Sequence, residues 1–497
     1  MKHPLTLALA ISLAGAGMSP ALAQSADAAP ARLAASAEAL QGNPFAVEST
    51  LPLQYPHFDR IEDEHFAPAF DAGMAEQLAE VRAIADNPEP PTFDNTIVPL
   101  EKRGAVLGRA MRVFFNLVGT DTNDARKKLQ ADYSAKFAAH RDAIALDPKL
   151  FARIEARYEG RADLGLDAEG VRLVEEYYKD LVRAGAALDE GQKARLKAIN
   201  AELATLGTTF SQNVLAEVND SAVVGDTAAE LEGLTPEQVQ TAANAATARG
   251  HEGKYVITLL NTTGQPPLSQ LANRELRERI HKASVARGAR GNQWDNRELV
   301  ARVLELRAER ATMLGFDTYA DYVLDGETAK TTGAVNAMLG QLAPAAVANA
   351  RREAAKLQAM IDSEQAAKGE PTFKLEPWDW AYYTEKVRKA EYDFDESQLK
   401  PYLEMKTVLE DGVFFAANQL YGISFKERTD LPKYHPDTWV YDVFNEDGSQ
   451  LASFIFDPYA RDSKRGGAWM NSYVSQSGLM GTQPVVANHQ NIPKPQA

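Results

Sequence analysis

Apolar residues recur every three or four positions along most of the chain, and that period predicts helices. Phe66, Phe70, Met74, Leu78 and Val81 mark one stripe, and Leu196, Ile199, Leu203, Leu206, Phe210 and Val214 mark another. Both stripes are expected to form core. Asp189 with Gln192 is placed to cap the second helix, and "TPEQ" from Thr235 to Gln238 reads as a capping box with Pro236 in the first turn. The helical period resumes in "NRELRERIHKASVARG", in "NRELVARVLELRAERATMLGF", which Gly315 is placed to end, and in an Ala-rich run from about Gly333 to Lys368. "EPWDWAYYTEKVRKAEYDF" and "YLEMKTVLEDGVFFAANQLYGI" follow it as well. The aromatics between Trp378 and Tyr383 read as core at that spacing, although so dense a cluster also suits a ligand cleft.

Strand signals are rarer. "KYVITLL", Lys254 to Leu260, is β-branched and bounded by Gly253 and "TTGQPP". After Tyr421 the texture changes: "WVYDVFNEDGSQLASFIFDPYA" reads as two strands joined at Asp447-Gly448, a hairpin signal. "FIFDPYARDSKRGGAWMNSYV", Phe454 to Val474, adds a third extended segment after a charged turn and two glycines. The pattern predicts a mainly α fold with a small β-sheet near the C-terminus of the chain, and no tandem repeat is present.

The first residues obey a different rule. "MKHPLTLALAISLAGAGMSPALAQ" has a basic start at Lys2, an apolar run from Leu5 to about Ala16 and Ala-Leu-Ala ending at Ala23. That is the layout of a secretory signal peptide spanning residues 1–23, with a mature start near Gln24. The apolar run is shorter than the ~20 residues a bilayer span requires, which disfavours a membrane anchor. Residues 24–43 are Ala-rich and weakly patterned, a flexible leader. Residues 44–260 then form an N-terminal helical region, and 261–497 a second one.

Composition acts mainly by exclusion. Apolar residues make up 45% and charged residues 25%, ordinary values for a globular protein. A net charge of −16 argues against a nucleic-acid partner and against an anionic membrane surface. The chain has no Cys, so disulfides, thiol catalysis and thiolate metal sites are absent. An exported protein of this kind must rely on its core.

With eight His, candidates for chemistry are few. A His-Glu-x-x-His zinc helix needs two imidazoles four residues apart, with the Glu as base. "HEGKY" at His251 has Tyr255 where the second should be, and the inverted motif ending in Glu64-His65 has Ile61 where a His is required. His57 and His65 flank Glu62, Asp63 and Glu64, which suits an acidic helix start better than a metal cluster. His435 falls in a Pro-bounded loop and His489 in the tail. Neither a Gly-x-Ser-x-Gly elbow nor a phosphate loop occurs.

Several stretches, in the same order, resemble the M3 family of zinc metallopeptidases, in particular the bacterial peptidyl-dipeptidases and oligopeptidase A. They are "NRELRERIHKASVARG", "RAERATMLGFDTYADYVL", "EPWDWAYY", "VLEDGVFFAANQLYGISF" and above all "FDPYARDSKRGGAWM". Pro44-Phe45 and "FDNTIVPLEKRG" are similar to that family's N-terminal region and favour the peptidyl-dipeptidase branch. The resemblance implies a two-lobed α-helical zincin-type body around a deep channel, with a small sheet beside the catalytic helix. It implies hydrolysis of short peptides with release of C-terminal dipeptides; together with the signal-peptide pattern, the expectation is a monomer in the bacterial periplasm.

The resemblance also implies Zn2+ on a His-Glu-x-x-His helix with a further Glu ligand. In the family that helix follows the counterpart of "GTQPVVANHQNIPKPQA", where the sequence in hand ends. The expectation is therefore a chain truncated before the zinc motif, with 261–497 as the N-terminal part of the catalytic domain. It should bind no zinc, carry no catalytic residue and be inactive alone. By the same resemblance Gly466, Gly467, Ala468 and Trp469 lie on the sheet edge that flanks the substrate. An unpaired edge can take an extended peptide by main-chain hydrogen bonds, and the glycines would let its backbone approach. The alternatives are that the glycines only turn the chain, and that the protein is a non-catalytic exported helical peptide binder.

Overall fold

The computed structural model of the chain describes residues 40–260, 265–393, 399 and 401–494. The expected signal peptide and most of the leader lie outside the described residues.

The helical period is realised almost throughout. Elements α1 (Phe66–Ala85), α2 (Val98–Lys102), α3 (Ala105–Thr120), α4 (Asp124–Ala145), α5 (Pro148–Glu159), α6 (Ala168–Ala184) and α7 (Glu190–Asp220) follow one another. The start of α7 is capped as its residues suggest: Asp189 Oδ1 accepts from the Gln192 amide at 2.8 Å, and Gln192 Oε1 accepts from the Asp189 amide at 3.2 Å. Thr235 and Gln238 form the same reciprocal pair ahead of α8 (Pro236–Ala248). Then come α9 (Arg274–Val285), α10 (Arg297–Met313), α11 (Tyr319–Leu324), α12 (Thr332–Lys368) and α13 (Trp380–Tyr392). A last helical run comprises Met405–Thr407, a π-helical stretch Val408–Phe414 and α14 (Phe415–Tyr421). Among the described residues no helix is long and apolar enough to cross a membrane.

Packing departs from the expected stripes in one place. Leu196 and Ile199 of α7 are buried, but Phe210 and Val214 are each 40% exposed. α4 still reaches this level, since Gln212 donates to Lys127 O at 2.8 Å, and Glu217 and Val218 farther along α7 are buried; Phe210 and Val214 lie on a side of the helix that stays partly open. Close packing elsewhere depends on small residues: a methyl group at Gly73 of α1 would lie 2.7 Å from the Leu107 nitrogen of α3.

The aromatic segment after Glu376 divides its roles. Tyr383 is core, Trp380 is 36% exposed, and the fully buried Asp379 takes charge-assisted hydrogen bonds from Arg274 and Arg277 at 2.8 and 2.9 Å.

Strands are more numerous than the sequence suggests. The "KYVITLL" strand shortens to β2 (Tyr255–Ile257) and pairs antiparallel with an unforeseen β1 (Val223–Gly225). The C-terminal sheet comprises β3 (Ser424–Glu427), β4 (Trp439–Phe444), β5 (Gln450–Tyr459), β6 (Trp469–Val474) and β7 (Val485–Ile492), in the order β3-β4-β5-β7-β6. The β4–β5 hairpin turns at Asp447-Gly448 as read. Strand β7 inserts between β5 and β6, parallel to the first and antiparallel to the second. His489 is therefore not in a tail; it is a fully buried residue inside the sheet.

Alternation along the strands feeds two cores. Val440, Ile455, Val485 and Ala487 face Phe66, Phe70 and Phe114 of α1 and α3. Tyr441 and Phe456 face the opposite way, onto Leu409 and Phe414 of the last helical run. The sheet is thus a middle layer, and β6 is an edge strand at its rim.

Candidate functional site

The charged turn "YARDSKR" folds back beneath the end of β5. Asp457 of β5, His489 of β7 and Trp469 of β6 pair in register, so they form one row across three strands. Asp457 is fully buried, as is His489, and Lys464 is nearly so. Arg461 grips the Asp457 carboxylate with two hydrogen bonds of 2.8 Å. Tyr434 donates to it at 2.7 Å, and the Lys464 ammonium lies 3.0 Å away. The remaining Lys464 protons go to the Asp457 and Tyr459 carbonyls at 2.9 and 3.1 Å.

The same turn closes the end of α3. Arg461 Nε donates to Thr120 O at 2.7 Å and the Arg465 amide donates to Gly119 O at 3.0 Å. These are carbonyls that the helix cannot satisfy itself, and cations are favoured there. A sequence that reads as a solvated turn is in fact a clamp between sheet and helix.

Charge in this network is asymmetric. Burial alone would raise the Asp457 carboxyl, but hydrogen bonds from His489 and Arg461 and the charges of Arg461 and Lys464 hold it well below the usual carboxylate range. Burial lowers Lys464 to about 8, with Asp457 only partly offsetting it. Burial likewise lowers His489 and so favours a neutral ring, although the hydrogen bond to Asp457 opposes it. Its Nδ1 lies 3.2 Å from Asp457 Oδ2 and must donate, so Nε2 is the acceptor. The atom 2.6 Å from Nε2 is Asn471 Oδ1, which leaves Asn471 Nδ2 buried without a partner; turning the amide over sets the Nδ2 donor against Nε2 and satisfies both groups.

Trp469 is fixed by this row. Its ring stacks on His489 at 4.8 Å between centroids, and the Arg465 guanidinium lies 4.2 Å from its own centroid. Tyr473, two pairs along the same face, is buried, whereas Met470 on the other face is 61% exposed. The far side of β6 pairs with no strand among the described residues. The strand begins at Trp469, later than the glycine-opened reading implies. Gly466 and Gly467 form a bend and, with Ala468, are exposed. Gly467 has φ +92°, a left-handed conformation that an extended strand cannot include. Asn491 holds this bend, donating to Arg465 O at 3.0 Å and Gly467 O at 2.6 Å.

Sequence reading missed Asp457, His489, Asn471 and Tyr434 as a set. The available signal was the alternation Val485, Ala487, His489, which marks one face of a strand.

A catalytic zinc needs about three protein ligands and an open position. Among the described residues no group of three or more His, Cys, Asp or Glu converges in that way. Both His489 nitrogens are engaged, and near His65 the Asp63 carboxylate is committed to Arg126 at 2.7 Å. The described residues offer no such ligand set.

The model of peptidase family M3 matches residues 268–497. Dipeptidyl carboxypeptidase of Escherichia coli (strain K12) is 45% identical over 455 residues, covering 92% of this chain and 66% of that protein. The Salmonella typhimurium dipeptidyl carboxypeptidase is 44% identical, over 91% of this chain and 66% of its own length. Oligopeptidase A of Salmonella typhimurium is 31% identical, over 85% and 62%.

The chain belongs to peptidase family M3. It spans about two thirds of the length of these curated relatives (66% for the dipeptidyl carboxypeptidases). The M3 match contains the whole C-terminal sheet, the charged turn and the edge strand.

Proposed function

We propose that this M3 chain is the peptide-holding part of a zinc-dependent peptidyl-dipeptidase that releases C-terminal dipeptides from short peptides. The observation that carries the reading is the agreement with a dipeptidyl carboxypeptidase at 45% identity over 92% of a chain whose sheet presents β6 as an edge strand, paired on one side only among the described residues. The free N–H and C=O groups of β6 hold a peptide in extended form, and the Asp457–His489–Trp469 row keeps that strand from shifting. Gly466, Gly467 and Ala468 leave the approach to its start uncrowded. Zinc, when bound by a His-Glu-x-x-His segment, supplies the activated water. The 497 residues contain no such segment, and we propose that alone they bind no catalytic zinc and hydrolyse nothing.

The test has two arms. The 497-residue protein, dialysed against zinc, should contain no stoichiometric metal and release no dipeptide. A chimera carrying the zinc-motif segment of a dipeptidyl carboxypeptidase after Ala497 should release C-terminal dipeptides in a chelator-sensitive manner. A folded, zinc-loaded chimera that releases none overturns the reading. We also propose export to the periplasm, with the mature protein beginning near Gln24. N-terminal sequencing of periplasmic protein decides it, and an intact Met1 there refutes export with cleavage.

A further inference from the structure

Arg465 stands apart from the other cations of its turn. Arg461 and Lys464 are spent on Asp457. Among the described residues no carboxylate lies within 4.0 Å of the Arg465 guanidinium, and no acceptor takes its protons. Nearby acids are committed elsewhere: Asp462 pairs with Arg249 at 2.8 Å, and Asp121 accepts from Ser463 at 2.8 Å. Burial lowers the Arg465 pKa with no opposing contribution, whereas carboxylate partners raise that of Arg461 despite its own burial. Arg465 is nonetheless exposed at the surface, so an incoming anion can reach its guanidinium without displacing another partner.

Its position is already set. The Arg465 amide is held by Gly119 O at 3.0 Å, its carbonyl by Asn491 at 3.0 Å, and its guanidinium rests over Trp469. Trp469 is itself stacked on His489. The side chain has therefore surrendered much of its rotamer freedom before any ligand arrives. Trp469 opens β6, so an extended peptide lying along the free edge passes Arg465 with one of its ends. The bend at Gly466 and Gly467 carries no side chain that would cover the guanidinium.

We propose that Arg465 is a specificity-determining residue that binds a carboxylate of the peptide seated on β6, through the paired hydrogen bonds a guanidinium makes to that group. The carboxylate is the peptide's C-terminus or an acidic side chain near that end. This rests on the reading of β6 as the peptide-binding edge, and the experiment separates the two ideas.

Binding to the intact 497-residue protein is measured by fluorescence anisotropy with three labelled octapeptides: one lacking acidic residues with a free C-terminus, the same peptide amidated, and the amidated peptide carrying one Asp. The expected result is binding of all three, with a carboxylate-bearing peptide roughly ten-fold tighter than the neutral amide. Which acid gains identifies the source. Arg465→Gln should bring the favoured acid down to the affinity of the amide. Arg465→Lys should retain a reduced, more salt-sensitive preference, because it keeps the charge without the fork. Equal affinities for all three peptides, or a preference that survives Arg465→Gln, overturn the proposal while leaving the edge reading intact. If no peptide binds at all, the edge reading falls and this proposal with it. Should Arg465→Gln fail to fold, loss of the acid preference in Arg465→Lys at high salt supports the proposal, and its full retention overturns it.

Discussion

Two apolar surfaces with the same helical period meet opposite fates in this molecule. Beneath the sheet, Phe66, Phe70 and Phe114 lie with Ile455 and Val485 at zero exposure. On α12, Met338, Leu339, Leu342 and Val347 recur at the same spacing and are 46–59% exposed. Only farther along that helix do Leu357 and Ile361 find a partner, in Tyr383 of α13. Periodicity identifies the side of a helix that gains by burial. It does not say whether anything covers it, since that depends on elements remote in sequence.

The two surfaces should respond very differently to substitution, and the largest contrast lies in the network that backs the sealed side. Asp457→Ala leaves Arg461 and Lys464 buried without their anion and should cost about 3–5 kcal/mol, read from chemical denaturation. A loss below about 1 kcal/mol, the scale of an exposed pair, would mean that the clamp contributes no more than surface charges do. Gly73→Ala comes next. The added methyl group meets the Leu107 backbone, so α1 and α3 must move apart at about 1–3 kcal/mol. An unchanged denaturation midpoint would show that the helices are not packed as closely as Gly73 permits.

A third prediction concerns slope with pH. Lys464 has its pKa lowered to about 8 in the folded protein against 10.5 for the free side chain. Below pH 8 both states are protonated, and the folded one bears the whole cost of burying the charge. Between about 8 and 10.5 the folded state binds fewer protons than the unfolded, so stability rises with pH. Relative to Lys464→Met, the wild type should therefore gain stability across that window in denaturation curves. A flat difference would place the ammonium in contact with solvent. The smallest effect is expected on the open side: Leu342→Lys should change stability by no more than about 0.5 kcal/mol while raising the concentration at which the protein aggregates. A drop of several kcal/mol would mean that this face is covered in solution.

The helices, their caps and the β4–β5 hairpin were legible because each rests on contacts between residues close in sequence. Asp189 reaches Gln192 within one turn, and Asp447-Gly448 closes a hairpin locally. Strands β1, β3 and β7 were not, because each is short or polar and becomes a strand by pairing with a partner already in place. The edge was legible in part. Trp469 lies on it, while Gly466 and Gly467 precede it as a bend. The network behind the edge was hidden, because "YARDSKR" has the composition of a solvated turn and His489 that of a tail.

By itself the sequence determined which segments coil into helices, the caps of a few of them, the absence of any thiol chemistry, and the family. Those properties follow from local periodicity, capping chemistry, composition and a shared order of motifs. Tertiary structure alone decided that β7 slides between β5 and β6 and so brings Asp457, His489 and Trp469 into one row. It also decided that Arg465 is left without a counter-charge and that α12 bares its apolar side. These outcomes depend on which distant surfaces meet, and a burial free energy exists only once a partner surface has arrived to exclude the water.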